Sequence, residues 1–320
     1  MNEKEIPTNK QNYNLEFFGK GSEFFGIIIV NWLLTIITLG IYYPWARVKK
    51  LKYIYGQTSL NNERFHFSGT GWELFVGFIK VILIYIAFLI VYGLLIMVNP
   101  ILGILFVYLG LLAVIPFIIH GSLKYGMSRT SYRGIRFGYR GKRGELAGKI
   151  YLWTFLTIIT LGLYSFWFSM NLRRYTHEHF RYGEIEFSND CNGGDWLWIS
   201  LKGYFLTVIT FGIYSFWFYR DIFNYYWSNL KMKNGENVIT CKSTATGSGF
   251  FELIIINLLI TVFTFGIGTP WVIMRNNKFI CDNIKLNGDI DLDSIHQTEE
   301  QYNNATGEGA MDYLDLEIGN

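Results

Sequence analysis

Apolar residues in this chain arrive in blocks, and four of the blocks repeat one sentence: "LTIITLGIYYPW" at 34–45, "LTIITLGLYSFW" at 156–167, "LTVITFGIYSFW" at 206–217 and "ITVFTFGIGTPW" at 260–271. A Gly-rich lead-in with an acid precedes each ("FFGKGSEF", "YRGKRGEL", "CNGGDWL", "ATGSGFFEL"), and a charged, aromatic stretch follows. A longer apolar tract from Leu74 to Ile119 opens with a similar lead-in, "FSGTGWEL", and reads as a fifth copy whose extra 22 residues predict one more helix. Between blocks, "TSLNNERFHF" alternates β-formers around Asn-Asn and predicts a short hairpin; "IKLNGDIDL", with Asn-Gly, predicts another.

The pattern predicts an all-α polytopic membrane protein built from tandem repeated modules, with about six transmembrane helices and short interfacial β-hairpins. The segments are 1–14 (polar start), 15–66, 67–136 (two spans), 137–186, 187–238, 239–288 and 289–320 (acidic tail). Each block is close to the roughly 20 residues a span requires, which favours spans near 24–45, 74–97, 101–120, 146–168, 196–218 and 251–272. With the N-terminus outside, the inner loops carry 17 Lys/Arg against nine outside, so the positive-inside rule is met. That topology puts Cys191 and Cys281 outside, Cys241 inside, and the acidic tail away from the Arg-rich 121–149 loop. The alternative is a set of re-entrant helical hairpins plus one full hairpin, with every lead-in and exit on one side.

Composition agrees with a membrane setting. Of 320 residues, 51% are hydrophobic and only 17% charged, below the quarter usual for soluble chains. The tail from Asp289 holds nine acids and no Lys or Arg, leaving 28 basic against 16 acidic residues in the body. Those charges flank apolar blocks, which suits a lipid surface and argues against nucleic acid as a partner. The polar start lacks the features of a secretory signal, so the first block is expected to direct its own insertion. Three scattered cysteines (Cys191, Cys241, Cys281) suggest neither a disulfide framework nor zinc.

The stretch "GKGSEFF…NWLLTIITLGIYYPWARVKKLKYIYGQTSL…FHFSGTGWELF" resembles the YjgN-like family of bacterial inner-membrane proteins, a domain of unknown function. The closing "GEGAMDYLDLEIG" resembles that family's acidic C-terminus, although this chain ends in Asn320 where an apolar residue is expected. The resemblance implies a multi-pass protein of the bacterial cytoplasmic membrane. It brings no substrate, activity or catalytic residues.

Candidate chemistry is sparse. Thr35/Thr38, Thr157/Thr160, Thr207/Thr210 and Thr261/Thr264 are i,i+3 pairs on one helix face, extended by Asn31 and Asn257. They are either a polar path for water, an ion or a small solute, or hydroxyls bonded back to their own helices. The lead-in acids Glu23, Glu73, Glu145, Asp195 and Glu252 either complement helix N-termini and nearby Lys/Arg or mark the mouth of a cation path. His177 and His179 lack a third metal ligand, and no nucleophile–base constellation, phosphate loop or cofactor motif is found, so no enzyme activity is expected. Two functions remain: a transporter or channel for an ion or small polar solute, and an accessory protein that organises lipids or protein partners. A homo-oligomer is compatible with either.

Overall fold

The computed structural model describes residues 11–298. The polar start up to residue 10, and the acidic tail with its "MDYLDLEI" motif beyond residue 298, lie outside the described residues. Five helical hairpins alternate with short strands. β1 (Gln11–Tyr13) and β2 (Leu15–Phe17) precede α1 (Gly21–Ile37) and α2 (Tyr43–Gln57). β3 (Thr58–Leu60) and β4 (Glu63–Phe67) precede α3 (Gly71–Val98) and α4 (Pro100–Ser128). β5 (Thr130–Tyr132) and β6 (Ile135–Tyr139) precede α5 (Arg143–Ile159) and α6 (Ser165–Glu178). β7 (Phe180–Tyr182) and β8 (Ile185–Asn189) precede α7 (Gly193–Ile209) and α8 (Ser215–Ser228). β9 (Leu230–Asn234), β10 (Asn237–Ser243), α9 (Gly247–Phe263), α10 (Thr269–Asp282) and β11 (Ile284–Gly288) complete the chain.

The six-span, all-α expectation is overturned by two findings. All eleven strands form one antiparallel sheet in the order β1-β11-β10-β9-β8-β7-β6-β5-β4-β3-β2. Its two ends, β1 and β2, are separated in sequence only by Asn14, so the sheet is a nearly closed, barrel-like ring. Among the described residues, moreover, only α3 and α4 are long and apolar enough to cross a membrane. Each short block is two helices rather than one. The helices pack in sequence order around a second ring, which α10 closes against α1.

The recurring sentence is the turn between those helices. In the first copy Gly40 N donates to Thr35 O (2.7 Å) and Leu39 N to Ile36 O (3.1 Å), the paired bonds of a Schellman C-cap. Thr38 Oγ1 donates to Leu34 O (2.7 Å) and accepts from Tyr42 N (3.0 Å), satisfying a donor at the start of α2. Gly40 sits at φ 92°, where a side chain is strained, and Leu39 before it at φ 49°. Leu161/Gly162, Phe211/Gly212 and Phe265/Gly266 repeat this geometry. The long block differs in arm length, not helix number: its two helices run 28 and 29 residues against 17 and 15 in the first block. The expected additional helix is absent because both arms have grown, leaving Pro116 inside α4 where Pro44 stands at the start of α2.

Strand alternation divides the ring into two faces. Tyr13, Tyr132, Tyr182, Ile185, Ile239, Cys241, Ile284 and Leu286 form one core with Ile290, Leu292 and Ile295 of the segment after β11. The three phenols are satisfied by carbonyls: Tyr13 by Ile290 O, Tyr132 by Leu60 O and Tyr182 by Tyr132 O. Phe17, two residues from Leu15 and so on the same face, packs at the helix end of the ring with Phe24, Met274 and Cys281.

Two further expectations change. Asn61 and Asn62 do take the left-handed turn between β3 and β4, but Asn287-Gly288 is not a turn. Gly288 stays in register with both Gln11 and Ile239, because the strands flanking β11 come from distant parts of the chain. A Cβ on Gly288 would meet Val238 O at 2.4 Å. The segment after β11 then runs back to the Arg-rich loop: Asp293 pairs with Arg133, Arg136 N donates to the Gln297 side chain and Arg140 to Thr298 Oγ1. Its described part is therefore beside that loop, against the six-span placement. Cys191, Cys241 and Cys281 likewise share the strand end of the hairpins.

Candidate functional site

The expected polar path resolves into separate local bonds. Thr35, Thr157 and Thr261 donate to Asn31, Trp153 and Asn257 carbonyls, while Thr38, Thr160, Thr210 and Thr264 donate four residues back and accept from an amide four residues on. Thr207 is the exception. Its hydroxyl is buried with no hydrogen-bond partner among the described residues. Asn31 is buried and donates to Ala46 O (3.4 Å), tying α1 to α2. Asn257 bonds Asn276 and accepts from Arg275, doing the same for α9 and α10.

The lead-in acids lie at the helix bases, each in its own hairpin. Glu23 accepts from Tyr53 Oη and pairs with Lys20 (3.3 Å), which holds its carboxyl below the usual range. Glu145 pairs with Lys149 (2.8 Å), and that hydrogen bond lowers its pKa. Asp195 lies beside its cap residue Asn192, whose side-chain oxygen accepts the Asp195 amide. Glu252 lines a shallow recess with Arg275, Lys278 and Asp282. Glu73 alone is deeply buried: it completes a capping box with Thr70 and meets Arg129 Nε at 3.1 Å.

The structure brings together a different set of residues. A cavity of ≈ 620 Å³ lies between α6, α7 and α8, lined by Ser165 and Ser169, by Trp196, Ser200, Tyr204 and Thr207, and by Ser215, Tyr219 and Ile222. That volume is within the range of small-ligand sites. The Ser169 hydroxyl donates to Phe166 O of α6 and the Ser215 hydroxyl to Gly212 O of the turn before α8. Ser200 is only 3% exposed and lines the cavity one and two turns below Tyr204 and Thr207. Gly203 makes room where α8 crosses α7; a Cβ there would meet the Phe218 ring at 2.1 Å.

Below the cavity, towards the strands, Trp196 stacks on Tyr226 (5.2 Å) and the Arg173 guanidinium covers the opposite part of the cluster, 4.1 Å from the Tyr226 centroid. Burial lowers the Arg173 pKa, and among the described residues no carboxylate acts on it. Its buried Nε has no hydrogen-bond partner among them either. Burial, then Arg173, push His177 down to about 4, so it is a neutral imidazole accepting from Asn189 (3.0 Å). His179 bonds Tyr175 O (2.7 Å). Burial raises Cys241 to about 12 and Cys281 to about 11, leaving them as thiols. Sequence reasoning missed Arg173, Trp196, Ser200 and Tyr226. Ser165, Ser169 and Arg173 do share an i,i+4 stripe, but the stripe acquires meaning only once α7 and α8 face it.

A family profile described as "Bacterial protein of unknown function (DUF898)" matches residues 12–202 and 221–313. "Inner membrane protein YjgN" of Salmonella typhimurium is 43% identical over 143 residues, which cover 44% of this chain and 34% of that protein. The proteins of the same name from Escherichia coli O157:H7 and strain K12 are each 34% identical over 139 residues, 43% of this chain and 33% of theirs. The matched part thus spans about a third of the length of these curated relatives. No solved structure matches the chain.

Proposed function

From the premise that this chain belongs to the DUF898 family of bacterial proteins of unknown function, we propose an inner-membrane protein that enters one leaflet with its four short hairpins, crosses with the long α3–α4 hairpin, and organises lipid. The inner-membrane assignment is carried over from the names of its relatives. The observation that carries the leaflet reading is the hairpin tips. Leu39, Leu161, Phe211 and Phe265 are 93%, 96%, 98% and 94% exposed, and each holds a left-handed conformation that costs a bulky residue about 1 kcal/mol. Burial of such a side chain in hydrocarbon offsets that cost with about 1.5–3 kcal/mol.

Charge placement supports the same depth. No Asp, Glu, Lys or Arg occurs in 24–46, 150–172, 203–219 or 253–274, each centred on a tip. The charge-free part of α5, residues 150–159, is about 15 Å long, or half of a roughly 30 Å hydrocarbon core. The charge-free part of α4, residues 100–123, is about 36 Å and reaches across. Basic residues at the strand end favour the cytoplasmic side for the ring. A through-membrane channel would require more than one hairpin to cross, which is why the accessory reading is preferred. Handling of a small polar solute is the second reading, favoured by the Thr207 hydroxyl, which has no hydrogen-bond partner among the described residues, in the cavity.

The test is depth. A fluorophore on Leu161→Cys, in vesicles containing lipids brominated at set positions, should be quenched most by bromines near the chain ends and little by aqueous iodide on either side. Strong iodide quenching at this tip would overturn the one-leaflet reading.

A further inference from the structure

Resting on that one-leaflet reading, we propose that the α6–α7–α8 groove holds an anionic phospholipid, its phosphate against Arg173 and one acyl chain lying along the cavity towards the hairpin tips. Three stripes define the groove. Ser165, Ser169 and Arg173 are spaced four apart on α6; Thr207, Tyr204, Ser200 and Trp196 descend one face of α7; Tyr219, Ile222 and Tyr226 descend α8. The upper members line the cavity. The lower members of the three stripes meet: Trp196 on Tyr226, and Tyr226 under Arg173. The groove therefore runs from an uncharged tip to a cationic, aromatic base.

Arg173 is the first charged residue below the tip on α6, so the leaflet reading places it at the depth of the lipid phosphates, where Trp and Tyr are also favoured. Among the described residues, this half-buried guanidinium has an orphan Nε and no carboxylate beside it to act as counter-ion. Such a charge is unfavourable unless an anion joins it. Burial and Arg173 push the His177 pKa down, so His177 adds no charge beside Arg173. Arg174, its neighbour, is already engaged with Cys191 O (2.6 Å). Ser200, one turn above Trp196, lines the groove where the glycerol ester carbonyl would lie.

The experiment titrates purified full-length protein in detergent with dioleoylphosphatidylglycerol, dioleoylphosphatidylcholine or inorganic phosphate, read by native mass spectrometry and thermal shift. Saturable binding is expected for phosphatidylglycerol and not for the other two. Arg173→Gln should weaken it at least about tenfold, a charge-assisted contact being among the stronger hydrogen bonds. Lys202→Gln, an exposed cation on α7, should change it less than about twofold, as surface charges do. Equal binding of phosphatidylcholine, a full effect from phosphate alone, or unchanged binding by folded Arg173→Gln would each overturn the proposal. If Arg173→Gln fails to fold, Ser200→Leu serves instead: it narrows the groove and keeps the charge, and wild-type affinity in that variant would overturn the proposal too. Detergent binding does not depend on hairpin depth, so this failure and failure of the leaflet reading are distinguishable.

Discussion

Replacing Thr210 by Val should damage the fourth hairpin, whereas the same change at Thr207 should not. Thr210 Oγ1 donates to Leu206 O (2.7 Å) and accepts from Tyr214 N (2.8 Å), the amide that opens α8. Val keeps the shape and removes the acceptor. The Tyr214 amide is then unpaired at a depth that water does not readily reach, which costs about 1–3 kcal/mol. The Leu206 carbonyl loses little, because it still accepts from Thr210 N (3.0 Å). Thr207 has no hydrogen-bond partner among the described residues to lose, and Val there removes an unsatisfied hydroxyl. At roughly 2 °C per kcal/mol for a chain of this size, Thr210→Val should lower Tm by about 2–6 °C and Thr207→Val by less than about 1 °C. Thermal unfolding in one detergent, followed by far-UV circular dichroism, measures both. The contrast should recur at Thr38 against Thr35, Thr160 against Thr157, and Thr264 against Thr261. Equal shifts within the pairs would refute the turn-closing role, and a larger loss at Thr207 would return its hydroxyl to the polar-path reading.

Glu73→Gln should cost about 3 kcal/mol by removing the buried carboxylate charge that faces the Arg129 guanidinium, and Glu73→Gln with Arg129→Met should recover part of it; unfolding midpoints of the single and double variants decide. His177 is pushed down to about 4 in the fold from 6.5, so stability it contributes is complete above pH 6.5 and is lost as pH falls towards 4. That loss approaches about 3 kcal/mol, and a wild-type Tm-against-pH curve no steeper than that of His177→Gln would contradict it. Gly183→Ala should loosen the segment after β11, because Gly183 is at φ 53° and its new Cβ would lie 2.3 Å from His296 O; faster proteolysis within 289–298 is the readout, and an unchanged cleavage rate counts against the contact.

Local physics was legible in the sequence. The apolar blocks, the acids and capping residues at helix bases, the left-handed Asn61-Asn62 turn and the charge-free tips all depend on neighbours within a few residues. So did the family: "LTIITLGIYYPW" and the Gly-rich stretches around it carried the likeness that the DUF898 match bears out. Even the turn was present, since Thr-x-x-Thr-x-Gly is the bond pattern of a Schellman cap closed by a hydroxyl.

What the sequence left open was whether that code ends a helix or decorates a span. Leu and Phe disfavour φ near 50°, so Leu39 or Phe211 signals continuation until the neighbouring hairpins and the strand ring fix both helix ends at one level. Ring closure is non-local as well. β11 pairs with β1 across nearly the whole described chain, and this pairing, not the Asn287-Gly288 propensity, decides what that dipeptide does. The groove belongs to the tertiary structure entirely. Arg173 reads in sequence as one basic residue of an exit, next to Arg174. Only the packing of α6 against α7 and α8 gives Arg174 a carbonyl partner and leaves Arg173 stacked on Tyr226, with no carboxylate among the described residues acting on it.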